Sequence, residues 1–198
     1  MYGMVNKAIR EYIETSFGKP AWQQIKAEAG FDAPEFISMD QYPDDVSVSL
    51  VVAASQATGR TVPALLEAIG EYWIGFAMRS DYGHLLQMAG DTLPEILMNL
   101  DNMHTRIGQS FTELQPPSFW CTDVTDESLT LHYVSSRGGL LAPMVAGLVR
   151  GLGKMLSVHC TVEQTAVYGE GDGHDEFHVT FAPAESAGAS TSPAYHRA

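Results

Sequence analysis

The chain has 198 residues, 45% of them hydrophobic, which is enough for one large core or two tightly joined subdomains. Its 24 Asp and Glu against 11 Lys and Arg give a formal net charge of −13, which argues against nucleic acid as a partner. No apolar run reaches the ~20 residues of a membrane span, the N-terminus lacks a signal-peptide layout, and two separated cysteines suit a reducing compartment. A cytoplasmic globular protein without a membrane segment is expected.

The first half of the chain predicts helices. Apolar residues at three- and four-residue spacing begin near Met4 and stop at Gly18. Two further helices are predicted over 44–58 and 61–78, and Gly59 separates them.

The clearest helical pattern covers 92–108. Thr92 and Glu95 have the spacing of a capping box, and Gly108 is predicted to end the helix. His104 lies inside the apolar stripe, so its imidazole faces whatever packs there. A core histidine bonded to a backbone carbonyl is the simpler interpretation of this position, and an axial metal ligand is the alternative.

In the second half the apolar period changes to two. Alternation over 129–134, 157–168 and 176–181 predicts an antiparallel sheet, and 143–156 has helical spacing between the first two strands. Glycines at 147 and 151 suit close helix packing better than phosphate binding, because the segment lacks P-loop spacing.

The expected fold class is α+β in one domain over 1–183. A helical N-terminal subdomain is expected over 1–115, and a C-terminal subdomain of antiparallel sheet and helix over 116–183. Residues 184–198 are small and polar without any period, and are expected to form a disordered tail.

A row of hydrogen-bond donors follows "QPPSFW". If 131–139 is a strand, Tyr133, Ser135 and Arg137 project from one face. Arg binds carboxylates bidentately, although a solvated face in which Arg137 pairs with one of the chain's own carboxylates is the alternative. A ligating His104 in an apolar groove, combined with donors for two propionates, describes a haem site.

Other polar patterns in the sequence predict neither a second metal site nor a catalytic site. His174 and His178 are four residues apart but straddle a turn and a strand, so joint metal binding is not expected. No nucleophile and base can be paired from spacing alone, and the chain is therefore not expected to be an enzyme.

On these motifs the chain resembles the H-NOX family, the haem nitric oxide/oxygen-binding domains related to the sensor domain of soluble guanylate cyclase. Tyr133, Ser135 and Arg137 match the family's Tyr-x-Ser-x-Arg motif, and His104 in "LDNMHTRIG" matches its proximal histidine. The N-terminal "MYGMVNKAI" and Trp73 in "GEYW" look like cyanobacterial members, which tend to carry Trp in the distal pocket.

The resemblance implies haem b clamped between the two subdomains. His104 would ligate the iron, and Tyr133, Ser135 and Arg137 would hold the propionates. Pro117 fits the place of a proline that presses on the porphyrin, although a bland linker would also use Pro-Pro. Met144 occupies the position where O2-binding relatives carry a Tyr. The other residues expected to contact the haem are Trp73, Leu148, Val5 and Met103.

The function that the resemblance implies is gas sensing. Ferrous haem would bind NO or CO, the bond to His104 would weaken or break, and the helix carrying His104 would shift. The expected partners are a histidine kinase or a diguanylate cyclase acting in trans. An O2 sensor, a haem enzyme with a polar distal acid/base pair, and a haem-free module for an apolar carboxylate remain alternatives.

Overall fold

The computed structural model describes residues 1–81, 83–111, 113–169 and 173–183, and the predicted tail 184–198 lies outside the described residues. Within these ranges the fold is α+β, as expected, with eight α-helices and one four-stranded antiparallel sheet. None of the helices in the described part of the chain is both long and apolar enough to cross a bilayer.

Most helices agree closely with the sequence pattern. The helices are α1 (Gly3–Phe17), α2 (Lys19–Glu28), α3 (Asp44–Thr58), α4 (Val62–Met78), α5 (Gly83–Gln87), α6 (Leu93–Met98), α7 (Leu100–Ser110) and α8 (Ala142–Met155). Gly59 ends α3 in the left-handed conformation, with a φ of 69°. The Thr61 side chain then accepts a hydrogen bond from the Ala64 N–H and begins α4. These two local signals explain why both helices were predictable.

The prediction of a single helix over 92–108 is wrong, because the helix is interrupted at Asn99. The capping box of Thr92 and Glu95 is confirmed at the start of α6. Asn99 then leaves helical geometry, with φ −99° and ψ 3°, and its side-chain amide donates to the Ala89 carbonyl at 2.8 Å. Gly108 lies inside α7, so it does not end the helix, and α7 is a separate short helix.

The sheet has the strand order β1-β2-β4-β3, and every neighbouring pair is antiparallel. The strands are β1 (Ser118–Thr122), β2 (Ser128–Val134), β3 (Val158–Ala166) and β4 (Asp175–Pro183). Strand β1 was not predicted. Its Phe119 is buried and Trp120 is 41% exposed, so the side chains alternate between the two faces of the sheet. The sequence hides this alternation, because the residue that faces outward is also aromatic.

The apolar core has two parts. One cluster joins α1 to α4 and includes Ile13, Leu50 and Ile69. The other begins with Ile74 on the same α4 and joins α5, α6, α8 and the sheet. The division between the two clusters therefore falls within α4, and the subdomain boundary at residue 115 stays a prediction.

Helices α4 and α8 touch through glycine. A Cβ added to Gly70 would lie 2.2 Å from the Met144 carbonyl oxygen, and one added to Gly147 would lie 1.9 Å from the Glu67 carbonyl oxygen. Both distances are too short for any side chain, so the two backbones are in contact. The interpretation of Gly147 as a close-packing residue is confirmed.

We predict that Gly147→Ala destabilises the fold by about 1–3 kcal/mol or more, because the new methyl group meets a backbone carbonyl that cannot move independently. Gly108→Ala is the matched control, since a Cβ at Gly108 meets nothing within 4 Å and alanine favours the helix. Denaturant unfolding of both variants measures the difference. Equal midpoints for the two variants would contradict the close packing of α4 on α8.

Candidate functional site

A cavity of about 480 Å³ lies between the helices and the sheet. This volume is within the ~300–1,000 Å³ range of small-molecule and cofactor sites. Residues of α1, α4, α7, α8, β1 and β2 contribute to its wall. Seven of the ten residues that the sequence proposed for cofactor binding line it: Val5, Trp73, Met103, His104, Pro117, Arg137 and Leu148.

His104 presents a neutral imidazole to the cavity. Its Nδ1 lies 2.9 Å from the Leu100 carbonyl oxygen one turn earlier in α7, and since a carbonyl can only accept, Nδ1–H is the donor. Burial lowers the pKa of His104, against smaller opposing effects of the Leu100 carbonyl and Asp101. The ring also stacks on Phe119, with centroids 5.5 Å apart. The remaining nitrogen, Nε2, therefore keeps a lone pair that can bind a metal.

Tyr133, Ser135 and Arg137 do not form a row on one strand face, and that prediction is wrong. Strand β2 ends at Val134, so Ser135 and Arg137 lie in the following turn. The Ser135 hydroxyl accepts the Arg137 backbone N–H at 3.1 Å. Tyr133 is buried against Phe119, and burial raises the pKa of its phenol more than a hydrogen bond with Ser135 lowers it. The cavity wall includes neither Tyr133 nor Ser135, and their role in cofactor binding stays a prediction.

Arg137 holds a carboxylate of the chain itself. Its Nε donates to Asp44 Oδ2 at 2.6 Å, its Nη2 donates to Asp44 Oδ1 at 3.3 Å, and its Nη1 donates to the Gln115 carbonyl at 3.3 Å. Burial raises the pKa of Asp44, but hydrogen bonds from Arg137 and the Met1 amino group, with their positive charges, hold it below its ordinary value. The guanidinium at the cavity wall is therefore oriented for bidentate contact with a carboxylate.

Met144 is not among the residues that line the large cavity, and its expected contact with the cofactor stays a prediction. It lines an adjoining apolar cavity of about 40 Å³ with Val5 and Leu141, which line the large cavity as well. On α8 the residues that line the large cavity include Val145, which follows Met144 in the sequence, and Leu148, which lies one turn beyond Met144. Met144 therefore lies at the edge of the α8 face that lines the large cavity.

Sequence reasoning missed two features. Asp44 was not recognised as the partner of Arg137, because 93 residues separate them. A cluster of His132, His174 and Glu176 on the sheet was also missed, because the strand register creates it. Only Asp44 belongs to the large cavity.

Comparison with known proteins identifies the class of domain. The Haem-NO-binding family model matches residues 2–164. Soluble guanylate cyclase gcy-31 of Caenorhabditis elegans is 32% identical over 156 residues, which is 79% of this chain and 22% of that protein. Soluble guanylate cyclase gcy-35 of the same organism is 31% identical over 79% of this chain and 23% of its own length. The chain thus spans about a fifth of the length of these relatives.

Solved structures share the fold. An H-NOX protein from S. oneidensis in the Fe(II)NO ligation state superposes with a TM-score of 0.81 at 14% identity, covering 92% of this chain and 99% of that one. An oxygen-binding H-NOX domain related to soluble guanylate cyclases superposes with a TM-score of 0.74 at 20% identity, covering 94% and 98%. The chain belongs to the Haem-NO-binding family and is an H-NOX domain. This membership indicates haem-based gas sensing as the class of function.

We predict that Asp44→Asn changes how the free energy of unfolding depends on pH in acid. A carboxyl group whose pKa is lowered by folding stabilises the fold above its unfolded pKa of about 3.9, and this stabilisation is lost as the pH falls through the lower folded pKa. The free energy of unfolding of the cofactor-free chain should therefore fall less steeply between about pH 5 and pH 3 in this variant than in the parent. Asp45→Asn, an exposed neighbour on α3, is the control and should keep the parent slope. Identical slopes for Asp44→Asn and the parent would contradict the Arg137–Asp44 pairing.

Proposed function

We propose that this H-NOX domain binds haem b in the large cavity with His104 as the axial ligand, and that it senses NO. The observation that carries the proposal is the position of His104, whose Nδ1 is engaged by Leu100 while its Nε2 is left for a metal. The haem iron, when bound, would supply the coordination position at which a diatomic gas binds.

The cavity wall also suits the porphyrin ring and the propionates of a haem. Most of the wall is apolar, which suits a porphyrin ring, and Arg137 supplies a cation for a carboxylate. Asp44 already satisfies Arg137 in this structure, so a propionate would compete with Asp44 or share the guanidinium with it. Tyr133 and Ser135 would act through the turn, because Ser135 fixes the Arg137 backbone. Pro117 also lines the cavity and would contact the ring.

Helix α7 is suited to carry a signal because it bears the proposed axial ligand and is separated from α6 by the interruption at Asn99. Its residues Leu100, Met103, His104 and Ile107 line the cavity, so a cofactor there would contact the helix over two turns. Its described ties to the sheet include the Phe119 N–H donating to Asp101 Oδ1 at 3.2 Å and the stacking of His104 on Phe119. We propose that release of His104 displaces α7.

The output of this displacement would pass to another signalling module. A histidine kinase or a diguanylate cyclase acting in trans is the proposed recipient, and NO and CO are the proposed ligands. The relatives gcy-31 and gcy-35 are named as guanylate cyclases, which supports a cyclase as one class of recipient. The domain itself is proposed to sense rather than to catalyse.

The wall formed by α4 and α8 favours NO and CO over O2. Its lining residues include Ile74, Ala77, Val145 and Leu148, which offer no hydrogen-bond donor to a ligand, whereas Trp73 carries an indole N–H. O2 sensing is the second candidate, since Trp73 lines the cavity and could donate if its N–H is aimed at the ligand. Trp73 also packs against Phe76, with ring centroids 5.7 Å apart, which supports an apolar filling role.

We predict that His104→Ala abolishes stable haem binding, or retains haem only when imidazole is added to replace the missing side chain. His84→Ala is the matched control, because His84 is exposed on α5 and does not line the cavity. The Soret absorption of the purified ferrous protein measures the effect. An unchanged ferrous spectrum in His104→Ala would refute the axial assignment.

We predict that the ferrous protein binds NO and CO but holds no O2 in air. A hydrogen bond to a charged acceptor contributes ~1.5–3 kcal/mol, or roughly ten- to a hundredfold in affinity, and the apolar wall withholds it. Absorption spectra recorded after reductant removal and air exposure test this expectation. A persistent oxygen-bound spectrum that disappears in Trp73→Phe would instead establish Trp73 as the donor and favour O2 sensing.

A further inference from the structure

A second polar site lies on the sheet, outside the haem cavity. His132 of β2 is directly paired with Glu176 of β4, and His174 precedes β4 by one residue. The His132 Nδ1 and His174 Nε2 are 3.0 Å apart, His174 Nε2 and Glu176 Oε1 are 3.0 Å apart, and His132 Nδ1 and Glu176 Oε1 are 3.3 Å apart. Three atoms with metal-ligating chemistry thus converge at one point.

Hydrogen bonding can join this triangle through one bifurcated N–H, from His174 Nε2 to both His132 Nδ1 and Glu176 Oε1. Each of the three atoms either carries a proton or offers a lone pair, so two of the three must be alike whatever the protonation. One edge of 3.0–3.3 Å is then a contact between two donors or between two acceptors. A cation in place of that shared proton would attract all three lone pairs at once.

A neighbouring hydrogen-bond chain leaves the His132 lone pair facing the other two groups. Thr122 Oγ1 donates to Asp123 Oδ2 at 3.1 Å and lies 2.8 Å from His132 Nε2. With the Thr122 proton on Asp123, Thr122 accepts from Nε2–H, and the His132 lone pair then lies on Nδ1. Metal-binding histidines are commonly oriented by such a contact through their second nitrogen.

We propose that His132, His174 and Glu176 bind a zinc ion. Tetrahedral zinc with bond lengths of ~2.0–2.2 Å places neighbouring ligand atoms about 3.3 Å apart, close to the edges observed. Two histidines and one glutamate are also a known zinc donor set, which leaves one position for water. The site is open enough for an ion to enter, since the His174 and Glu176 side chains are 16% and 29% exposed. The net charge of −13 favours cation uptake.

The proposed ion would act on the sheet rather than on the haem cavity. None of the three residues lines that cavity. Zinc there would fix the start of β4 to β2, across the two strands that His132 and Glu176 already join. Trp120 covers the site, because its ring stacks on His132 at 4.8 Å and tilts against His174 at 5.2 Å. Binding should therefore stabilise the fold and perturb Trp120.

The test uses the whole chain, treated with a chelator, dialysed and titrated with Zn²⁺ by calorimetry. We expect one ion per chain and a melting temperature that rises with Zn²⁺ concentration by linkage. His174→Ala and Glu176→Gln should each weaken binding by tenfold or more and lose the stabilisation. Glu176→Gln keeps the side-chain shape, so it remains informative if His174→Ala folds poorly.

His178→Ala is the matched control, because His178 is exposed on β4 two residues after Glu176. This variant should bind Zn²⁺ as the parent does. Absence of binding in the parent would overturn the proposal, as would parent-like affinity in both His174→Ala and Glu176→Gln. Loss of binding in His178→Ala or His104→Ala, with the cluster variants unaffected, would place the ion elsewhere and also overturn it.

Discussion

The hydrogen bond from His104 Nδ1 to the Leu100 carbonyl governs the proposed chemistry of this domain. It is a contact within one helical turn, so it needs no distant partner and forms whenever α7 forms. It fixes the tautomer, burial keeps the ring neutral, and Nε2 is left for a metal. Any displacement of α7 moves this imidazole with the helix, which is how the proposed signalling would couple ligand binding to helix position.

Helices α4 and α8 form one part of the cavity wall, and α7 forms another part. The backbones of α4 and α8 touch at Gly70 and Gly147, which makes their part of the wall hard to deform. Helix α7 follows the interruption at Asn99 and lines another part of the cavity with Leu100, Met103, His104 and Ile107. A cofactor between them would contact the closely packed pair α4 and α8 in one place and α7, which carries its proposed ligand, in another.

Local signals in the sequence predicted much of this structure. Gly59 and Thr61 located the boundary between α3 and α4, and the apolar stripe placed His104 toward an apolar space. Features that depend on distant partners were missed. Arg137 meets Asp44 across 93 residues, and His132 meets His174 across 42 residues, so spacing could reveal neither pair. The interruption at Asn99 coincides with a contact outside its helix, to the Ala89 carbonyl, which spacing could not reveal either.

Resonance Raman spectroscopy of the ferrous, ligand-free protein tests the central claim most directly. The account predicts a low-frequency iron–histidine stretching band that shifts when the chain is labelled with ¹⁵N-histidine, because His104 Nε2 would bind the iron. The band should persist in His84→Ala, since His84 lies on the exposed face of α5. A haem-loaded protein whose spectrum has no label-sensitive band would contradict His104 as the axial ligand.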